Sequence, residues 1–160
     1  MEALISEVLN DSLPHAMDKG IDLGYDGVDT EKKRKFLKLQ GNPTLLKEMI
    51  RNLVDNAIHY TPSTPERMGI ITVRLLVDPY SQALAVQVED NGPGIPAAER
   101  ERVFEPFYRA LGSNVDGSGL GLPIVREIAQ RHGASVTVEV AHPGQALPGA
   151  CFTIRFAPAD

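Results

Sequence analysis

The sequence is poor in cysteine: of 160 residues only Cys151 carries a thiol. An intramolecular disulfide is therefore excluded, which fits a reducing compartment. No apolar run approaches the roughly 20 residues of a membrane-spanning helix. Glu2, Glu7 and Asp11 interrupt the N-terminal stretch where a secretory signal needs an uncharged core. The expectation is a soluble domain, which a longer membrane protein could still contain. Positive charge is also in deficit: 16 Lys and Arg against 21 Asp and Glu give a net charge of −5. Phosphate backbones demand clustered cations, so a generic nucleic-acid binder is disfavoured. The one basic run, Lys32-Lys33-Arg34-Lys35, lies between acidic Asp29 and Glu31 and apolar Phe36, and reads as a solvated turn before a strand.

What the chain does have is enough apolar matter for a core, with 42% hydrophobic residues. Its length suits one domain, and neither an internal repeat nor a linker divides it. Leu4, Ile5, Val8, Leu9 and Leu13 recur at helical spacing, predicting a helix over 2–18 that Gly20 ends. A short strand and turn follow over 21–30, and Phe36, Leu37 and Leu39 mark another strand. Asn42-Pro43 opens a helix to about His59, striped with Leu45, Leu46, Met49, Ile50, Leu53, Val54 and Ala57. Ile70 to Val77 and Ala83 to Val88 read as a hairpin around a turn at Asp78-Pro79-Tyr80-Ser81. Residues 97–104 fit a short helix, and Leu120 to His132 a longer one closed by Gly133, with His132 as a capping residue. Ala134 to Val140 and Cys151 to Phe156 predict two last strands. The fold class is α/β (α+β): a two-layer sandwich of a mixed sheet packed on three or so helices.

Four local constellations carry chemistry. Asn52 and Asn56 stand one helical turn apart, off the apolar stripe, so two amide oxygens share a face. Oxygen donors suit Mg²⁺, which needs only one or two from the protein beside phosphates and water. Taken alone, the pair fits a solvated face better. Glu89-Asp90-Asn91-Gly92-Pro93-Gly94-Ile95 sets a carboxylate at a strand end before two glycines, an acceptor for an amine beside backbone that a flat ring can approach. An ordinary turn is the plain alternative. Gly117-Ser118-Gly119-Leu120-Gly121-Leu122 opens a helix with bare N–H groups suited to phosphate. It matches neither the dinucleotide fingerprint nor a P-loop, and a flexible loop is its alternative. Phe104-Glu105-Pro106-Phe107-Tyr108-Arg109 is either an aromatic patch closing the core or the anchor of a loop whose Arg109 reaches phosphates.

In this order the four resemble the N box, first glycine box, F box and second glycine box of the sensor histidine kinase catalytic domain. That domain belongs to the GHKL superfamily, which also holds gyrase, heat-shock chaperone and mismatch-repair ATPases. The match covers roughly residues 40–156. The resemblance implies a Bergerat-type ATP-binding fold over 1–160 and the cofactors ATP and Mg²⁺. It implies that Asp90 reads the adenine amine, that Gly92, Gly94 and Ile95 shape the purine pocket, and that Tyr60 stacks on the ring. Asn56, with Asn52, would hold Mg²⁺. Residues 109–119 would form the lid over the nucleotide. Phe107, Gly117, Ser118, Gly119, Leu120 and Gly121 would also bind ATP, Gly119 and Gly121 presenting backbone N–H groups to the phosphates, and Asn52 and Arg109 would be the catalytic residues. The superfamily's ATPases carry a water-activating glutamate where this chain has Asn52, which cannot act as a base; that favours transfer to another nucleophile over hydrolysis. His59 stands where kinases often carry Lys or Arg towards the phosphates. Ala150 replaces a Ser or Thr that supports the adenine-binding aspartate.

None of His15, His59, His132 or His142 has the context of a phosphoacceptor. The resemblance therefore implies a fragment: the cytoplasmic catalytic domain of a bacterial inner-membrane receptor. Its partners would be that receptor's dimerisation and phosphoacceptor domain and a response regulator, with no nucleic acid and no direct membrane contact. Competing readings are a non-catalytic nucleotide-binding module, a GHKL ATPase and, more distantly, an anti-sigma serine kinase.

Overall fold

The helical spacing at the start of the chain folds as α1 (Glu2–Asp18), which buries Ile5, Val8, Ser12 and Ala16 along one side. Gly20 follows in the left-handed conformation, φ 72°, the usual way to turn a chain out of a helix. The structure, a computed structural model, describes residues 1–27, 41–78, 80–81, 83–106 and 121–157. The strand expected around Phe36–Leu39 lies outside them.

Helix α2 (Pro43–Tyr60) starts where the sequence predicts, because Asn42 satisfies its first orphan donors. The Asn42 Oδ1 accepts from the amides of Thr44 at 3.0 Å and Leu45 at 3.1 Å, and Pro43 gives up an N–H that had no helical partner. Leu46, Met49, Ile50, Leu53, Val54, Ala57 and Ile58 form its buried stripe. Helix α3 (Gly121–Arg131) buries Val125, Ile128 and Ala129. His132 does cap it, with a second task that no sequence feature announces. Its Nε2 accepts from the Asn42 amide at 3.1 Å, so its Nδ1 carries the proton donated to the Ile128 carbonyl at 2.8 Å. One imidazole thus ties the end of α3 to the start of α2. Removing the cap by Asn42→Ala is expected to cost about 1 kcal/mol, read as a fall in Tm of roughly 2–4 °C. An unmoved melting curve would show that the cap contributes nothing.

Five strands form one mixed sheet in the order β1-β2-β3-β5-β4, comprising β1 (Asp22–Asp26), β2 (Ile70–Val77), β3 (Leu84–Asp90), β4 (Ala134–Val140) and β5 (Ala150–Phe156). β1 runs parallel to β2 and the other pairs are antiparallel. Alternation sends Ile71, Val73, Leu75, Val86, Val88, Phe152 and Ile154 towards the helices, where they join the core with α2's stripe. The opposite face is polar: Arg74 pairs with Glu89 at 2.8 Å, and Gln87 with Thr153 at 3.2 Å. The result is the expected two-layer α+β sandwich.

Two local expectations change. Residues 97–104 are not one helix but two 3₁₀ turns, Ala97–Glu99 and Arg102–Phe104. Tight i→i+3 bonds, Glu99 N–H to Pro96 O and Glu105 N–H to Arg102 O, both 2.9 Å, let the short segment turn Val103 and Phe104 into the core. There Phe104 meets Phe152 edge-on at 6.2 Å, and the Arg126 guanidinium lies 5.4 Å from its ring centre. β3 also runs two residues past Val88, because Ile71 and Thr72 of β2 pair with Asp90 and Glu89.

Candidate nucleotide site

That extension fixes the direction of the Asp90 side chain. Asp90 ends β3 opposite Ile71, in the row facing the helices, and is only 8% exposed. Its Oδ1 accepts two backbone bonds, from Gly92 at 2.9 Å and Ala150 at 3.3 Å. Oδ2 has no hydrogen bond to a described residue. Burial pushes the carboxyl above its ordinary value; the Gly92 and Ala150 amides oppose the shift, Glu89 adds to it and His142 opposes it. Ala150 has no hydroxyl to offer Asp90. The structure shows a main-chain N–H of the same residue supplying one hydrogen bond.

The turn after Asp90 needs its glycines for closeness. A Cβ on Gly92 would stand 3.2 Å from the Tyr60 carbonyl and 3.5 Å from Pro62 Cδ. Gly94 has φ 78°, and a Cβ there would stand 2.8 Å from the Gly149 carbonyl. Gly149 is tighter still. It has φ 69°, its N–H donates to the Gly92 carbonyl at 2.8 Å, and a Cβ on it would overlap the Asp90 carbonyl oxygen. The only signal in the sequence is Pro148-Gly149 before a strand, a common turn. Ile95 packs half-buried against the core.

On α2, Asn52 and Asn56 are both half-buried. The Asn52 Nδ2 donates to Glu48 Oε1 at 3.4 Å, which leaves its Oδ1 turned towards α3, 3.7 Å from where a Cβ on Gly121 would sit. The structure therefore brings the asparagine helix against the first residue of the helix that the glycine-rich segment opens. Asn56 makes no side-chain hydrogen bond to a described residue. Among the described residues no three His, Cys, Asp or Glu side chains cluster to hold a metal. A cation here would have to rest on amide oxygen, phosphate and water, a donor set that fits Mg²⁺. His59 lies with its ring edge-on to His15 of α1, centroids 5.5 Å apart. Burial, then His15, hold its pKa below the ordinary value against the pull of Asp55, while Lys19 lowers it further. Tyr60 is 38% exposed at the end of α2. Phe107, Arg109, Gly117, Ser118, Gly119 and Leu120 fall outside the described residues.

Chemically, the site offers a buried acceptor beside bare backbone and, on α2, the Asn52 amide oxygen beside the first residue of α3. The family model for histidine kinase-, DNA gyrase B- and HSP90-like ATPases matches residues 41–160, and the chain belongs to that family. Within it the chain is homologous to sensor histidine kinases. The sensor protein kinase PmrB of Pseudomonas aeruginosa is 33% identical over 148 residues, 92% of this chain and 28% of that protein. The mycobacterial sensor histidine kinase MprB superposes with a TM-score of 0.78 at 29% identity, over 97% of each chain. The catalytic domain of histidine kinase ThkA superposes with a TM-score of 0.76 at 27% identity, over 99% of this chain and 95% of that one. The chain spans between 22% and 28% of the length of its curated relatives PmrB and MprB.

Proposed function

We propose that residues 1–160 form the ATP-binding catalytic domain of a longer two-component sensor kinase, which binds Mg²⁺-ATP and passes its γ-phosphate to a histidine on a separate dimerisation domain. The observation that carries this is the buried, doubly hydrogen-bonded Asp90 in a glycine-walled turn, in a family of ATPases, with Asn52 where a hydrolase of the family needs a base. Asp90 would take the adenine amine, Gly92, Gly94 and Ile95 would border the purine, and Tyr60 would stack on it. Asn56 and Asn52 would hold Mg²⁺, which, when bound, neutralises charge on the β- and γ-phosphates. The chain's own contribution to transfer is positioning: amide oxygens on α2, the N–H groups of the Gly117–Gly121 segment, and the Arg109 guanidinium. His59 supplies less charge than a lysine would.

The solved relatives support this reading. ShkA, 26% identical with a TM-score of 0.75, is in complex with AMPPNP. ThkA in complex with the response regulator protein TrrA is 26% identical with a TM-score of 0.73. The cytoplasmic segment of histidine kinase QseC is 25% identical with a TM-score of 0.64. We accordingly place this chain in the cytoplasmic part of a membrane sensor, with that sensor's phosphoacceptor domain and a response regulator as partners. Among the described residues no helix is long and apolar enough to cross a membrane.

The test supplies labelled ATP to the chain alone and to the chain with the dimerisation domain of the same protein. Acid-labile label should appear only in the second tube, since phosphohistidine is acid-labile. Nucleotide binding without transfer would make the domain a nucleotide-sensing module, and fast release of free phosphate by the chain alone would make it an ATPase. A second measurement isolates the metal. Asn56→Ala should remove roughly tenfold from the Mg²⁺-dependent gain in ATP affinity, the size of one lost charge-assisted contact, and leave metal-free binding in place. Equal weakening with and without Mg²⁺ would make Asn56 structural.

A further inference from the structure

The last turn of α2 leaves carbonyl oxygens without helical partners, and their partner comes from another helix. Lys19, the residue that ends α1, donates from Nζ to the carbonyls of Ile58 at 2.6 Å, His59 at 3.3 Å and Thr61 at 3.4 Å. The ammonium is partly buried, and burial holds its pKa below the ordinary lysine value. One residue further, the Ser63 hydroxyl donates to the Gly20 carbonyl at 2.7 Å, and its Oγ accepts from the Gly69 amide at 2.9 Å. The carbonyl skipped by Lys19 is that of Tyr60, and it packs on Gly92. From Gly69 the connection continues into the Asp90 turn: Asn91 Oδ1 accepts from the Ile70 amide at 2.8 Å, and Asn91 Nδ2 donates to the Met68 carbonyl at 3.0 Å. The end of α1 therefore holds both the final turn of α2 and the loop that borders the glycine turn.

We propose that Lys19 is a positioning residue for the purine, fixing Tyr60 and Pro62 as the wall opposite Gly92 without touching the nucleotide. The inference rests on the nucleotide reading of this site. Without the ammonium, three carbonyls lose a cationic donor at once, and the turn that carries Tyr60 frays. Asn52 and Asn56 lie one to two turns deeper in the helix, bounded by Leu53, Val54 and Ala57 of its buried stripe, and keep their place. The defect is thus confined to the base end of the ligand.

The experiment compares wild type, Lys19→Met and Lys19→Arg by calorimetry with adenosine, ADP and ATP, with and without Mg²⁺. Lys19→Met should lose roughly tenfold in affinity, the order of the cost of re-ordering a frayed Tyr60 turn on binding. The loss should be the same for all three ligands, and the Mg²⁺-dependent gain should stay at the wild-type value. Lys19→Arg, whose guanidinium can donate to the same carbonyls, should recover most of the affinity. A merely structural role would lower Tm and spread the loss over the metal-dependent part as well. Unchanged adenosine binding in Lys19→Met, or a reduced Mg²⁺ gain, overturns the proposal. A separate arm needs no nucleotide: in the free protein, exchange of the Thr61 amide, bonded to the Ala57 carbonyl at 3.0 Å, should quicken in Lys19→Met. Wild type that binds no adenosine overturns the reading of the site and the purine role together, and it is recognised because the exchange effect persists. An exchange rate that does not change overturns the clamp itself.

Discussion

Asp90→Asn is expected to lower the affinity for ATP and ADP by about ten- to a hundredfold while leaving the fold intact. The lost quantity is a hydrogen bond to a charged acceptor, roughly 1.5–3 kcal/mol, and each 1.4 kcal/mol is a factor of ten. The substitution is isosteric. An asparagine Oδ1 can still accept from Gly92 and Ala150, so the turn keeps its two anchoring bonds. The second oxygen becomes an NH₂ and meets the purine amine donor to donor. The variant also loses a buried charge, whose burial raises the Asp90 pKa, so its Tm should equal or exceed that of wild type. Undiminished nucleotide binding with an unchanged Tm would remove Asp90 from the site.

The same carboxylate sets opposite pH dependences for binding and stability. Its folded pKa is raised from the ordinary 3.8. Between 3.8 and the raised value, the folded state binds more protons than the unfolded one, so stability falls as pH rises through that window. Nucleotide binding needs the ionised acceptor and falls as pH drops through the same window. Over that range the Asp90 contributions to calorimetry and to thermal melts should therefore move in opposite directions; Asp90→Asn should remove the binding slope and flatten the stability slope, to which the raised Asp55 carboxyl also contributes.

Gly149→Ala carries the largest stability effect. The methyl would overlap the Asp90 carbonyl oxygen, and the backbone there has φ 69°. Left-handed backbone costs an alanine about 1–2 kcal/mol, and separating the start of β5 from the end of β3 adds to it. A total of roughly 3–5 kcal/mol is expected, a fall in Tm on the order of 10 °C. Gly144 supplies the control: its φ is 85°, yet nothing lies within 4 Å of a Cβ there. Gly144→Ala should show the conformational cost alone, about 1–2 kcal/mol. Equal melting temperatures for the two variants would show that the close approach to Asp90 stores no stability.

By itself, the sequence determined what depends on neighbours along the chain. The periodicity of Leu46 to Ala57, the Asn42-Pro43 start, the alternation of Ile70 to Val77 and the glycine after His132 each act within one or two turns of helix or strand. The elements therefore fell near where they were expected, and the failure at 97–104 came where the stretch was too short for periodicity to decide. Residue types and spacing offered Asn52, Asn56 and Asp90 only as candidates beside a solvated face and an ordinary turn, and it was the order of the four boxes together that singled them out. Which atoms meet was decided by the tertiary structure. That Asp90 points to the helices follows from the register of β3 against β2, and that the Ala150 amide supports it follows from the pairing of β3 with β5, 60 residues away in sequence. Gly149 against Asp90, Lys19 under the carbonyls of α2, Asn52 beside Gly121 and His132 on the Asn42 amide are likewise contacts between distant segments. Most are made through main-chain atoms, which are the same in every residue except proline, so no pattern of side chains along the chain could have marked them.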